Sequence, residues 1–349
     1  MSATVSDKLL NWYDAHARAL PWRVAPGAPL PQDPAWPYRV WLSEVMLQQT
    51  TVAAVKPYFE AFTQRWPTVF DLAAAGEDDV MAAWAGLGYY SRARNLVKCA
   101  KVVAELGGFP ETEDELRNLP GLGAYTAAAI AAIAFGESAV VVDANVERVV
   151  ARLFAIEEPL PAARKPIRAR AEEITPHQRA GDFAQGLMDL GSQICTSRAP
   201  RCLLCPLAED CAGRKAGDPE RLPVKAPKKT KPQRTGTSFW IEDSNREIGA
   251  RVWLVRRDGT GMLGGMRALP DDGWSAKGDG HGEPPLPGEW HDAGAVRHSF
   301  THFDLTLRLM VYVEGPLGAI GAGEWWPLDE LSDAGLPTLY AKAARLARA

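Results

Sequence analysis

Leu116-Arg117-Asn118-Leu119-Pro120-Gly121-Leu122-Gly123-Ala124-Tyr125-Thr126, followed after an alanine-rich run by Val142-Asp143-Ala144-Asn145-Val146, is the stretch on which the fold turns. Pro120-Gly121-Leu122-Gly123 separates two helix-like segments. Its glycines permit the positive φ of a tight hairpin that bares backbone N–H groups at the next helix N-terminus. Such a hairpin can hold a phosphate without a lysine. Taken alone, the same four residues also suit an ordinary connection between two helices. Asp143 adds chemistry: it can cap a helix predicted over 146–154, where the helix dipole favours negative charge.

Towards the N-terminus the pattern is nearly all helical, with periodic segments at 5–18, 52–65, 69–75, 78–85 and 91–106. Between the first two, Tyr38-Arg39-Val40-Trp41-Leu42-Ser43-Glu44-Val45-Met46-Leu47-Gln48-Gln49-Thr50 reads as a mostly apolar helix carrying one carboxylate. Among Trp41, Leu42, Val45 and Met46, Glu44 is expected to lose solvent, raising its pKa and keeping a proton available near neutral pH. The plainer alternative is a solvent-facing glutamate on an amphipathic helix. Gly86-Leu87-Gly88-Tyr89-Tyr90 puts a leucine and two tyrosines on a glycine-loosened turn, suited to entering a base stack or, equally, to a core.

Towards the C-terminus, four cysteines fall as C-x6-C-x2-C-x5-C at Cys195, Cys202, Cys205 and Cys211. Only Cys202 and Cys205 form a close pair, whereas structural zinc usually takes two, so the spacing favours a 4Fe-4S cluster over zinc. The fifth, Cys99, reads as a buried apolar residue. Residues 214–236 form a basic, proline-containing linker, able to touch phosphates or simply a solvated tether. Strand-like runs follow at 237–241, 250–256, 305–313 and 325–328, giving an α+β second domain.

With 349 residues and 46% hydrophobic content, the chain has material for two globular domains. Its net charge of -4 excludes a uniformly basic surface, but residues 214–234 alone carry +6. The N-terminal residues show no export-signal pattern, so a cytoplasmic location, with thiols free for ligation, is expected. The charge-free run 118–136 reads as a buried small-residue helix and not a membrane span.

Together, Leu-Pro-Gly-Leu-Gly-x-Tyr-Thr, Val-Asp-Ala-Asn-Val, Trp-Leu-Ser-Glu-Val-Met-Leu-Gln-Gln-Thr, Gly-Leu-Gly-Tyr-Tyr-Ser-Arg-Ala-Arg-Asn-Leu and the cysteine spacing resemble adenine DNA glycosylases of the MutY type, in the helix-hairpin-helix superfamily. The resemblance is dense over 5–213 and weaker beyond. It implies a multidomain protein: an all-α helix-hairpin-helix glycosylase domain with a 4Fe-4S cluster loop (1–213), the basic linker (214–236) and an α+β Nudix-like 8-oxoguanine recognition domain (237–349). The implied activity is hydrolysis of the N-glycosidic bond of adenine mispaired with 8-oxoguanine or guanine in double-stranded DNA. A nucleoid-associated monomer is expected, with no membrane partner.

By the same resemblance, Glu44 is the acid that protonates adenine at N7, and Asp143 is the carboxylate beside the cationic sugar. Tyr125 and Asn145 stand next to that pair. Gln49, Thr50, Leu87 and Tyr89 match residues that hold or wedge beside the opposing base. Apart from the resemblance, the hairpin of Gly121 and Gly123 can take a DNA phosphate, and Arg198 and Arg201, between the cluster ligands, are natural phosphate contacts. In the second domain, 262–270 stands at a glycine-rich turn, and Phe300, Thr301 and His302 stand at a Phe-Ser-His loop that meets the oxidised base. Thr301 departs from that pattern, retaining a hydroxyl but adding a methyl. No glutamate-rich Nudix helix is evident, so pyrophosphate hydrolysis is not expected.

Two other readings remain open on sequence. An endonuclease III-like glycosylase/lyase acting on oxidised pyrimidines shares the hairpin, aspartate and cluster, but its lyase step needs an amine where this chain has Tyr125. A non-catalytic iron-sulfur DNA-binding protein would need neither Glu44 nor Asp143.

Overall fold

A computed structural model describes residues 3–226, 230–245, 249–257, 262–314 and 320–348. It divides into two units: Met1–Ala75 with Arg94–Lys228, and Gly76–Ala93 with Lys229–Ala349.

The first unit is built from α1 (Val5–His16), α2 (Trp36–Leu47), α3 (Val52–Arg65) and α4 (Val69–Ala74). A short α5 (Glu77–Ala83) belongs to the second unit, and α6 (Ser91–Leu106) leads back into the first. Then come α7 (Glu113–Leu116), α8 (Ala124–Ala134), α9 (Ala144–Leu153), α10 (Arg164–Ile174), α11 (Ala180–Gln193) and α12 (Ala212–Lys215). The sequence writes several of these helix starts directly. Thr4 with Asp7 and Thr68 with Asp71 form capping boxes, and Thr51, Thr112 and Asp143 cap α3, α7 and α9.

The centre of the unit is α8, buried from Thr126 to Ala134. Its alanines leave little side chain between backbones, so α11 can approach closely. A Cβ on Gly181 would lie 2.5 Å from the Ala132 carbonyl oxygen. The charge-free run read from sequence is thus a buried helix. No helix among the described residues is long and apolar enough to cross a membrane.

The stretch expected as a linker is shorter and less free than its composition suggests. Leu222 is buried and its carbonyl accepts a hydrogen bond from Arg152 Nε at 3.0 Å, while Leu160 N–H donates to the Val224 carbonyl at 2.9 Å. The run of prolines and cations hides this one apolar anchor. Lys228 and Lys229 lie outside the described residues.

The second unit holds two sheets. In the first, β1 (Gln233–Trp240) pairs in parallel with β6 (Asp304–Glu314), which pairs antiparallel with β5 (Glu289–Ser299). In the second, β3 (Gly249–Arg256) pairs antiparallel with β2 (Glu242–Asn245), β4 (Arg267–Ala268) and β7 (Glu324–Pro327). Helix α13 (Thr338–Ala347) lies against β5 and β6. Trp240, Val252, Leu254, Leu305, Leu307 and Tyr340 anchor one hydrophobic core. Arg256 joins α5 to this unit through both Asp78 carboxylate oxygens, at 3.1 and 3.0 Å.

Candidate active site

Glu44 lies within α2, where every residue from Val40 to Met46 is buried, leaving no solvent-facing side for it. It is 6% exposed. Burial, reinforced by nearby Asp143, pushes its pKa up to about 7, against the opposing influence of Tyr125 and Arg23. The carboxyl therefore can carry a proton near neutral pH, as its apolar neighbours suggested. Helix α2 ends at Leu47, earlier than expected, because Gln49 takes a positive φ of 57° and turns the chain. Gln49 and Thr50 thus face the site from a turn and not from the helix.

Tyr125, in the first turn of α8, donates its hydroxyl proton to Glu44 Oε2 at 2.5 Å. Burial and the two carboxylates hold its own pKa well above the ordinary tyrosine range, so it stays a neutral donor. Asp143 caps α9. Its Oδ1 accepts from the backbone N–H groups of Asn145 at 2.8 Å and Val146 at 2.7 Å, and its Oδ2 accepts from Asn145 Nδ2 at 2.8 Å. The capping expected from sequence is thus present, and it commits both oxygens of the carboxylate. Three N–H donors fix its orientation.

Glu44, Gln49, Thr50, Tyr125, Asp143 and Asn145 line a single cavity of 1230 Å³. That exceeds the roughly 300–1,000 Å³ usual for small-molecule sites.

Several groups that shape the site escaped the sequence reading. Arg23 lines the cavity and pairs with fully buried Asp189 at 2.8 Å, which also accepts from Arg18 Nε at 2.7 Å. Asp189 interrupts an apolar run on α11 much as Glu44 does on α2, and that signal was available. Arg148 donates to Asn145 Oδ1 at 2.9 Å, the Gly191 carbonyl at 2.6 Å and the Cys195 carbonyl at 2.7 Å. Its place three residues after Asn145, on one helix face, was also legible.

Arg152, one turn further along α9, reaches the cysteine loop. It donates to Cys195 Sγ at 3.4 Å and to the Thr196 carbonyl at 2.7 Å. Cys195, Cys202, Cys205 and Cys211 line one small void of 20 Å³, and the Arg214 backbone N–H points at Cys211 Sγ from 3.4 Å. The donor chemistry fits a thiolate-bound iron-sulfur group, since N–H groups already aim at sulfur. Arg198 and Arg201 are exposed on this loop. Cys99 is fully buried, and burial pushes its thiol up to about 12.

The hairpin uses one of its glycines for positive φ, not both. Gly121 has φ 77°, and a Cβ there would meet Asn95 Cβ at 2.7 Å. Gly123 is ordinary extended backbone with φ -85°. As the N-cap of α8 it has no side chain to cap the first N–H groups, which stay open to a ligand.

Of the two settings open to the Gly86–Tyr90 turn on sequence, Leu87 takes the buried one, at 7% exposure. Its N–H bonds the Trp84 carbonyl, and Arg92 donates to the carbonyl of Gly88 at 3.3 Å, so the turn folds the leucine inward. Tyr89 remains outward at 47% exposure.

In the second unit, Phe300 begins the turn joining β5 to β6, its N–H bonding the Phe303 carbonyl at 2.9 Å. The Phe300 ring stacks on Phe303 at 4.8 Å, with the His298 ring edge at 4.5 Å. Thr301 and His302 stand exposed at the tip.

Comparison with known proteins agrees with this geometry. Residues 42–177 match the HhH-GPD superfamily base excision DNA repair protein family, and residues 244–346 match the NUDIX domain. Adenine DNA glycosylase of Homo sapiens is 34% identical over an alignment covering 97% of this chain and 73% of that protein. The Mycolicibacterium smegmatis adenine DNA glycosylase is 44% identical across 61% of this chain and 70% of its own. Among solved structures, a thermostable thymine-DNA glycosylase superposes with a TM-score of 0.53 at 30% identity, covering 60% of this chain and 95% of that one. A buried acid beside a helix-capping carboxylate, carried by a chain similar to such enzymes along nearly its whole length, belongs to the adenine DNA glycosylase family.

Proposed function

We propose that the chain removes adenine mispaired with 8-oxoguanine or guanine from double-stranded DNA, hydrolysing the N-glycosidic bond and leaving the strand intact. The observation that carries this reading is Glu44, buried, hydrogen-bonded to Tyr125 and raised to about 7, in one cavity with Asp143. Adenine inside a duplex is out of reach, so it must be extruded into that cavity. Glu44 gives its proton to adenine N7, and the C1′–N9 bond breaks with its electron pair leaving on the base. The sugar becomes an oxocarbenium ion, and the Asp143 carboxylate stabilises that charge. Water adds at C1′ and releases a proton to the site, restoring the starting charges. A positioned general acid contributes about 10²–10⁴-fold on its own.

Strand cleavage by a lyase would need an amine close to C1′. Among the described residues lining the cavity there is no lysine, and Tyr125 is occupied with Glu44. Cys195, Cys202, Cys205 and Cys211 would hold one 4Fe-4S cluster. When bound, it supplies iron-thiolate bonds that order the loop carrying Arg198 and Arg201. The open N–H groups after Gly123 and these arginines are suited to DNA phosphates. Thr301 and His302 are suited to the oxidised base opposite adenine.

One assay on A:8-oxoguanine duplex tests the reaction type. Adenine should be released with strand breaks appearing only after alkali, and borohydride should trap little protein on DNA. Efficient trapping would support the lyase alternative. Iron and acid-labile sulfide in the purified protein support the cluster, and zinc in their place would contradict it.

A further inference from the structure

We propose that Lys231 is a positioning residue for reading the opposing base, its ammonium clamping the turn that carries Phe300, Thr301 and His302. The proposal rests on the reading of that turn as the 8-oxoguanine contact. Composition alone would class Lys231 with the phosphate-seeking cations of the linker. Its geometry differs: Nζ donates to the Phe300 carbonyl at 2.7 Å and faces Ser299 Oγ at 3.3 Å. Two of its three donors are thereby committed inside the second unit.

The clamp is part of a wider tie between the turn and the chain entering β1. Ser299 Oγ donates to Asp304 Oδ1 at 2.5 Å, Gln233 Nε2 donates to Asp304 Oδ2 at 3.1 Å, and Asp304 N–H donates to the Pro232 carbonyl at 3.0 Å. Both ends of the turn, Ser299 and Asp304, are therefore held by the 231–233 segment. Phe300 is fixed three times over, by its N–H to Phe303, by its carbonyl to Lys231 and by its ring on Phe303 and Trp274. A ring so placed supports the tip from below, and Thr301 and His302 are left to project. A turn ordered before DNA arrives binds without the entropic cost of ordering it then. Arg234, three residues further on, is directed elsewhere, to the Lys277 carbonyl at 3.3 Å.

The test compares full-length Lys231→Met, Lys231→Arg and a tip variant, Thr301→Val with His302→Ala, in single-turnover adenine release from A:8-oxoguanine and A:guanine duplexes. Salt is varied, and thermal unfolding checks that each variant is folded. Lys231→Met should lower the preference for 8-oxoguanine by about tenfold, the scale of one charge-assisted hydrogen bond, and Lys231→Arg should restore most of it. An unchanged preference in Lys231→Met, with the tip variant impaired, overturns the clamp alone. Equal weakening on both duplexes with a shallower salt dependence makes Lys231 a phosphate contact and also overturns it. An unchanged preference in the tip variant removes the reading of the turn, and the clamp with it.

Discussion

At the scale of single residues, the division of labour proposed for Glu44 and Asp143 rests on where each carboxylate sits. Glu44 is buried on α2 with one tyrosine donor and the Asp143 carboxylate nearby, so its pKa is pushed up to about 7. Asp143 has three N–H donors and a helix N-terminus. The first arrangement suits an acid and the second an anion. Glu44 also carries a stability cost with a definite pH window. Its folded pKa, about 7, exceeds the ordinary 4.5, so the folded chain binds this proton more tightly than the unfolded chain. Its contribution is most favourable below pH 4.5 and is lost as pH rises through 7. Glu44→Gln removes the penalty. Urea unfolding at pH 8 should find the variant more stable by up to about 3 kcal/mol, with the gap closing towards pH 5. Equal gaps at both pH values would place the carboxyl in a wetter setting than its burial implies.

At the scale of elements, α9 joins the reacting end of the site to the cysteine loop. Asp143 caps it, Asn145 and Arg148 follow on the same face, and Arg152 reaches Cys195. The backbone of α11 presses against this helix at Gly191, where a Cβ would lie 2.6 Å from Asn145 Cβ. Gly191→Ala should therefore cost roughly 1–3 kcal/mol of stability and slow adenine release by displacing Asn145 from Asp143. Gly186→Ala on the same helix meets Tyr13 Cβ at 3.3 Å and should do less to either. Thermal unfolding beside single-turnover release checks the pair, and normal release in folded Gly191→Ala would contradict the displacement.

How much of this the sequence could announce varies with the element. Glu44 stood out as one charge in an apolar run, and Asp143 as a cap, because both signals are local. The pairing of Arg23 with Asp189 did not, since its partners meet only on folding. Strand β5 was missed because it lies at a sheet edge with Val296 as its one buried residue, so it shows no apolar alternation. For Leu87 the sequence left exposure and burial open, and hydrogen bonds to Trp84 and Arg92 turn it inward.

At the scale of the whole molecule, the chain combines two units with separate architectures. The helical unit carries Glu44 and Asp143, the proposed acid and anion, and the mixed α+β unit carries the exposed Thr301–His302 tip. Under the function proposed above, excising an undamaged base calls for a second reading of what lies opposite, and the exposed tip is proposed to supply it. Binding the mispair and breaking its bond are then separable. Loss of the acid or the anion should abolish chemistry without abolishing recognition. Single-turnover adenine release from A:8-oxoguanine duplex by folded Glu44→Gln and Asp143→Asn, with duplex binding measured alongside, is the most direct test. Release should fall by about 10²-fold or more in each variant while binding is kept, and release at the parent rate by either would contradict the assignment of acid and anion.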